Sequence, residues 1–473
     1  PRTGTRLALP RVPGAATLEL SANPRMSWRQ LKSHLACLLI AVTLTGVVVL
    51  SAHAQGAAPA TAESPLPAAI EAVLRHPTLS GARVGLLALR LPDRAVLLSR
   101  NADQAFAPAS VTKLFTTAAA LWKLGGHYIW QTPIAYLGTK RDGRIDGDLW
   151  ILGRGAPDLV EERLWIAAQW LVEDGLTQID GDIVVDDRYF AGDRYGQGWP
   201  GGRQVSEAYH APISALMANY AAQRGGDGWN AVADPPIHFG TRFAVLLGKA
   251  GVRVRGTVRR PHASELAAVP GPDFRGTAVG RESVPAPLVA LYDIASEPLG
   301  RLVMDVNKFS NNVMAETVLR ALGAIEYGAP GTDTKGLAVV TEFLQDQLGV
   351  PMSAYLLADG SGLSPQNRFT PVQIVNLLEY AERDFHVGPE LLSSLKISGL
   401  EGWSAAPFKY APLKGELRVK SGHIRGVNAL TGFLHTERDH LIVFAFMIND
   451  HHAQQWEIDQ RMAEMTVALI REF

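Results

Sequence analysis

The stretch APASVTKLFTTAAAL, residues 107–121, holds a lysine three residues after a serine in a run that is otherwise small and apolar. Behind Pro108, Leu114, Ala118 and Leu121 recur at spacings of four and three. That pattern predicts a helix whose first turn carries Ser110 and Lys113. Residues three apart on a helix are neighbours, so the hydroxyl and the amine can meet. A lysine on a solvated face needs no such partner. In a half-buried first turn it would be desolvated, its pKa would fall, and it could accept the serine proton. A Ser-x-x-Lys match arises about once or twice by chance in a chain of this length, and a second one, Ser393 to Lys396, is present. The pair needs support from elsewhere.

The chain has 473 residues, 47% of them hydrophobic and 19% charged, with 10 tryptophans, which predicts two or three globular domains with sizeable cores. A formal net charge of −1 gives no bulk attraction to nucleic acid or to an acidic membrane. From Met26 the text reads as a secretory leader: Arg29 and Lys32, an apolar run at 35–50, and Ala52-His53-Ala54 before Gln55. Met26 is accordingly expected to be the true start and 1–25 to be untranslated, with the signal at 26–54. Cys37, the single cysteine, lies inside this leader and lacks the glycine usual before a lipidated cysteine. The mature chain would then be exported to a bacterial periplasm, with no disulfide and no thiolate metal site. An uncleaved leader would instead tether it peripherally to the membrane.

Residues 55–68 are Ala/Pro-rich and read as a linker. RVGLLALRLPDRAVLLSR (83–100) predicts two strands around a Pro-Asp-Arg turn. Over 126–274 short apolar runs alternate with Gly/Asp/Pro turns, including FAVLLGKAGVRVRGTV. This stretch is expected to be strand-rich, with one helix near 161–174. From about 286, PLVALYDIASEPLGRLVMDVNKFSNNVMAETVLRAL predicts a return to helices, with another near 371–383. Two adjacent strands then lead to a closing amphipathic helix. The layout is that of one mixed α/β domain, 55–125 plus 275–473, interrupted by an inserted domain at 126–274.

Two further motifs support Ser110. NKFSNNVMAE holds Ser310 and Asn312, a Ser-x-Asn; RVKSGHIRG holds Lys420-Ser421-Gly422 on a strand near the end. Ser-x-x-Lys, Ser-x-Asn and Lys-Thr/Ser-Gly in this order form the signature of penicillin-recognising serine enzymes. The Ser393–Lys396 pair fits no such order. NADQAFAPASVTKLFTTAAAL, GDLWILGRGAPDL, YHAPISALMANY, MDVNKFSNNVMAE, DGSGLSPQNRFT and VKSGHIRGVNALTGFL together resemble the class C, penicillin-binding-protein-4-like D-alanyl-D-alanine carboxypeptidases/endopeptidases. The long insert between Lys113 and Ser310 is similar to that family's.

The resemblance implies a transpeptidase/β-lactamase-like fold, an antiparallel sheet with helices, and no cofactor or metal. Ser110 would attack the penultimate D-alanine carbonyl, and Lys113 would take its proton with Lys420 helping to keep it neutral. Ser310 would relay the proton to the leaving nitrogen, while Asn312 orients Lys113 and binds a substrate amide. Lys420 and Ser421 would hold the terminal carboxylate, and Gly422 would let substrate lie flat on the strand. Backbone N–H groups of Ser110 and His423 would hold the oxyanion. Peptidoglycan stem peptides are the implied substrate and β-lactams the implied covalent inhibitors.

The sequence departs from the family pattern at Ser421 and His423, where threonines are usual, and at ISGLEGWSAAPF (397–408). Plainer readings stand beside each motif. Ser310 and Asn312 would cap a helix, Lys420 would be a solvated strand lysine, and DGSGLSPQNR would be a glycine turn. His451 and His452 would be loop residues. Asp186, Asp187 and Asp193 would either cap turns or contact a stem-peptide amine. A β-lactamase or esterase of the same superfamily, and a non-catalytic cell-wall scaffold, are the competing functions.

Overall fold

The computed structural model describes residues 65–199, 207–226, 228–269, 284–401 and 406–473. The expected leader and most of the linker lie outside them.

In chain order, α1 (Ala68–Leu74) precedes the hairpin β1 (Arg83–Leu91) and β2 (Ala95–Arg100), and α2 (Thr112–Leu124) follows. Next come β3 (Gln131–Arg141), β4 (Arg144–Leu152), α3 (Glu161–Glu173), β5 (Gln178–Ile179), β6 (Ile183–Asp186), the ribbon β7 (Ala222–Gly225) and β8 (Gly228–Ala231), and α4 (Pro235–Ala250). The short β9 (Arg253–Val254), β10 (Val258–Arg259) and α5 (Ala263–Ala268) lead to β11 (Val289–Ala295). Helices α6 (Leu299–Lys308), α7 (Asn312–Tyr327), α8 (Asp333–Asp346), α9 (Pro371–Arg383) and α10 (Gly388–Ser393) then run up to β12 (Lys396–Ile397). The chain closes with β13 (Leu417–Ile424), β14 (Val427–His435), β15 (Leu441–Asn449) and α11 (Gln455–Glu472).

The first sheet is wholly antiparallel in the order β12-β13-β14-β15-β1-β2, so early and late segments of the chain share it. Leu86 pairs with Phe446 and Leu430 with Phe446 across β15. Strand β15 is buried on both faces, which is why LIVFAFMI reads as a continuous apolar run. Its odd and even residues feed two cores. Val443, Ala445 and Met447 join Leu114, Phe115 and Ala118 of α2 on one face. Ile442, Phe444, Phe446 and Ile448 join Ile458, Met462 and Leu469 of α11 on the other. Each fully buried Leu, Ile or Phe contributes about 1.5–3 kcal/mol. Because β12 is only two residues long, β13 beyond Val419 has no strand partner on that side among the described residues, and that edge carries Lys420, Ser421 and Gly422.

The second sheet runs β10-β6-β4-β3-β11, with β5 paired to β4 and β9 to β5, and mixes parallel and antiparallel pairs. Two expectations are corrected here. FAVLLGKA is helical, not a strand: Asp234 caps α4 by accepting from Ile237 N, Pro235 opens it, and Gly251 ends it at φ +101°. VALYDIA forms β11 rather than a helix, pairing with β3 from Val289 to Ala295, and helices resume only after Pro298.

Candidate active site

Ser110 lies in a 3-10 turn, Ala109–Val111, and α2 begins one residue later at Thr112. Ala109 takes a left-handed φ of +46°, unusual for a residue with a side chain, immediately before the serine. Thr112 Oγ1 donates to the Ala109 carbonyl at 2.9 Å and fixes the turn. The helix behind it is buried from Thr112 to Leu121, so Lys113 has no exposure at all. The lysine and serine meet as their spacing predicts, with Lys113 Nζ 3.0 Å from Ser110 Oγ.

Two carbonyl oxygens accept from the same nitrogen: Asn312 Oδ1 at 2.6 Å and the Ser361 backbone oxygen at 2.6 Å. A neutral amine has two N–H groups and one lone pair. With both N–H groups taken by carbonyls, the lone pair is left for the Ser110 hydroxyl, which can then donate to it. Burial drives the Lys113 pKa down to about 7, against the opposing pull of Asp359 and Glu316. The arrangement can therefore hold a neutral base against a serine hydroxyl near neutral pH.

Asn312 reaches this position because Asn311 caps α7, its side chain accepting from Met314 N at 3.1 Å. That leaves Ser310, at φ +55°, and Asn312 free to face the site rather than cap the helix. Asn312 Nδ2 donates to the Tyr209 carbonyl at 3.1 Å, which orients its Oδ1 toward the lysine. Lys420 is likewise buried rather than solvated, and its Nζ donates to Ser310 Oγ at 2.9 Å and to the Ser421 carbonyl at 2.7 Å. Burial first, and the nearby Lys113 second, push its pKa well below the ordinary lysine range. Gly422 packs against the serine turn. A Cβ there would lie 2.5 Å from the Pro108 oxygen and 2.9 Å from Ser110 N.

Sequence reasoning missed the loop that holds the lysine's third partner. DGSGLSPQNR is more than a turn. Asp359 accepts from Gly362 N, Ser364 N, Asn367 Nδ2 and Trp199 Nε1. Glu316, one helical turn after Asn312, accepts from Gly360 N and from Ser361 N at 2.8 Å, and so aims the Ser361 carbonyl at Lys113. Glu316 is fully buried beside Asp359, and desolvation pushes its carboxyl up to about 8. Its i+4 spacing from Asn312 was the one available signal.

Ser110, Ser310, Lys420, Ser421, Gly422 and His423 line a cleft of about 360 Å³. His423 Nδ1 lies 3.2 Å from Asn428 Oδ1, and buried His451 places Nε2 2.9 Å from the same oxygen. The three aspartates do not line this cleft. Asp186 is buried against Arg188 at 2.7 Å, and Asp187 accepts from Arg194 at 2.6 Å and from Ser214. Asp193 accepts from Tyr195 N and, through its carbonyl, from Arg320. Of the second Ser-x-x-Lys pair, Ser393 donates to the Glu390 carbonyl, while Lys396 lines the cleft from β12.

The model of the D-Ala-D-Ala carboxypeptidase 3 (S13) family matches residues 66–227 and 271–469. A D-alanyl-D-alanine carboxypeptidase from Actinomadura sp. (strain R39) is 29% identical over 495 aligned positions, covering 90% of each chain. Penicillin-binding protein 4 from Haemophilus influenzae superposes with a TM-score of 0.71 at 21% identity, covering 85% of this chain and 99% of its own. A predatory peptidoglycan endopeptidase from Bdellovibrio bacteriovorus superposes at 0.54 with 15% identity, over 82% of this chain and 92% of its own. These two likenesses establish the shared fold, a mixed α/β architecture with an antiparallel sheet.

Proposed function

Because the chain belongs to the D-Ala-D-Ala carboxypeptidase 3 (S13) family, we propose that it hydrolyses D-Ala-D-Ala ends, and D-alanyl cross-links, of peptidoglycan stem peptides through an acyl-enzyme on Ser110. The observation that carries the reading is the buried Lys113 amine, whose two carbonyl acceptors leave its lone pair for the serine. Ser110 is the nucleophile and Lys113 its base. Ser310, held by Lys420, passes the proton to the leaving nitrogen. Lys420 and Ser421 receive the terminal carboxylate at the edge of β13, and the N–H groups of Ser110 and His423 receive the oxyanion.

β-Lactams acylate the same serine and are released slowly. The protein works in the periplasm, delivered by the leader at 26–54, and a retained leader would add a peripheral membrane tether. The strand-rich 126–274 segment is an inserted domain, its sheet completed by β11 from beyond that segment. Release of D-alanine from an N-acylated D-Ala-D-Ala peptide, in the wild type and in Ser110→Ala, tests the activity. Cleavage that persists in the variant contradicts it, and rapid turnover of benzylpenicillin would favour the β-lactamase reading instead.

A further inference from the structure

Lys396, the lysine of the second Ser-x-x-Lys pair, takes no part in the acylation machinery, yet it lines the same cleft as Ser110. It sits on β12, which pairs with β13 only at Val419 and Arg418. Lys396 and Ser398 line the cleft and Ile397 between them does not, as strand alternation requires. Lys396 is paired with Val419, so it is the β12 residue next to the stretch of β13 that carries Lys420, Ser421 and Gly422. A peptide lying along that stretch ends against Lys396.

The direction of the substrate decides which part of it arrives there. With the scissile carbonyl at the His423 N–H and the terminal carboxylate at Lys420–Ser421, the leaving residue points down β13 toward Val419. Lys396 therefore stands beyond the terminal carboxylate, on the side away from the stem. The charge lining this end is of one sign, from Lys308, Lys396 and Lys420. Lys396 is close enough to Lys420 to lower its pKa further, after burial and Lys113. Glu401 acts on Lys396 but does not line the cleft, and it is already engaged. It accepts from Lys308 Nζ at 2.7 Å and from Ile397 N at 3.1 Å. Burial lowers the Lys396 pKa, Glu401 opposes, and Lys308 adds to the fall. An anion brought beside Lys396 relieves the repulsion among these lysines and holds the ammonium form.

We infer that Lys396, aided by the charge of Lys308, forms a subsite for a second carboxylate carried by the leaving residue, so that a D-amino acid with an acidic side chain is the favoured leaving group. This rests on the catalytic reading of the same cleft. The side-chain carboxylate accepts a charge-assisted hydrogen bond from Lys396 Nζ while the α-carboxylate stays at Lys420–Ser421.

The test compares Nα,Nε-diacetyl-L-Lys-D-Ala-D-Glu with the D-Gln peptide, which has the same shape and lacks only the side-chain charge. The wild type should show a KM about fivefold lower for the D-Glu peptide, with kcat little changed. In Lys396→Met and in Lys396→Gln the KM ratio of the two peptides should fall to about one, and Lys396→Arg should keep the preference. Both peptides are read on each variant, so a general loss of activity cancels in the ratio. Equal KM values in the wild type, or a preference that survives in Lys396→Met or Lys396→Gln, overturn the subsite. Benzylpenicillin labelling of wild-type Ser110 is read in parallel. A labelled serine with no preference for the D-Glu peptide removes the subsite alone. An unlabelled serine removes the catalytic reading and the subsite together.

Discussion

Buried charge is handled in opposite ways in two regions of this molecule. In the second sheet it is matched. Arg259 meets Asp148, Asp182 and Glu265, Arg188 meets Asp186, and Arg194 meets Asp187. Hydrogen bonds and charge hold Arg259 above even its ordinary range. At the cleft, Lys113 and Lys420 are buried against carbonyls and hydroxyls and form no ion pair among the described residues. Both are pushed down by desolvation. A matched charge stays fixed across physiological pH. An unmatched buried amine loses its proton easily, which is what a base needs.

The largest effect falls on the serine that the unmatched lysine faces. Ser110→Ala should abolish both D-alanine release and covalent labelling by benzylpenicillin, read by intact mass. Next, Lys113→Met should slow acylation by roughly 10²–10⁴-fold, measured as the second-order rate of benzylpenicillin labelling. The wild-type rate should rise with pH through about 7, as Lys113 is lost as an ammonium and gained as a base. A rate independent of pH from about 5 to 9 would mean that the lysine is not the group titrating. The unfolded chain binds the Lys113 proton more tightly than the folded one. Stability should therefore rise with pH from about 7 toward the ordinary lysine range, with a shallower slope in Lys113→Met.

On the matched side, Asp187→Ala should lower stability by about 1 kcal/mol, because the partly exposed Arg194 loses its partner. The KM for a D-Ala-D-Ala peptide should not change. A raised KM with an unchanged melting temperature would restore the aspartate to a substrate-contact role. The smallest effect is expected at His423, whose ring lies beside Asn428. His423→Thr should change acylation by less than about tenfold, since the strand presents its backbone N–H with either side chain.

Much of the site was legible because its pieces are local. The i, i+3 spacing brings Ser110 and Lys113 together, and strand alternation separates Lys420 from Ser421. What was not legible came from distant backbone. The Ser361 carbonyl reaches Lys113 through a loop whose glycines read as a turn, and only the fold brings Glu316 beneath it. Asp186 and Asp187 looked available because a sequence shows a carboxylate more readily than its partner, although Arg188 and Arg194 stand two and seven residues away. In the fold, α4 was hidden by an apolar run that suits strand or helix equally, and the Asp234-Pro235 start was the deciding signal. Strand β11 was hidden by its continuity with the helices that follow.

The most direct measurement is intact-mass spectrometry of the protein after incubation with benzylpenicillin, followed by peptide mapping. A single stable adduct on Ser110, absent from Lys113→Met over the same time, is the result expected of a serine activated by an unmatched buried lysine. An unlabelled Ser110, or labelling at equal rate without the lysine, would contradict that claim.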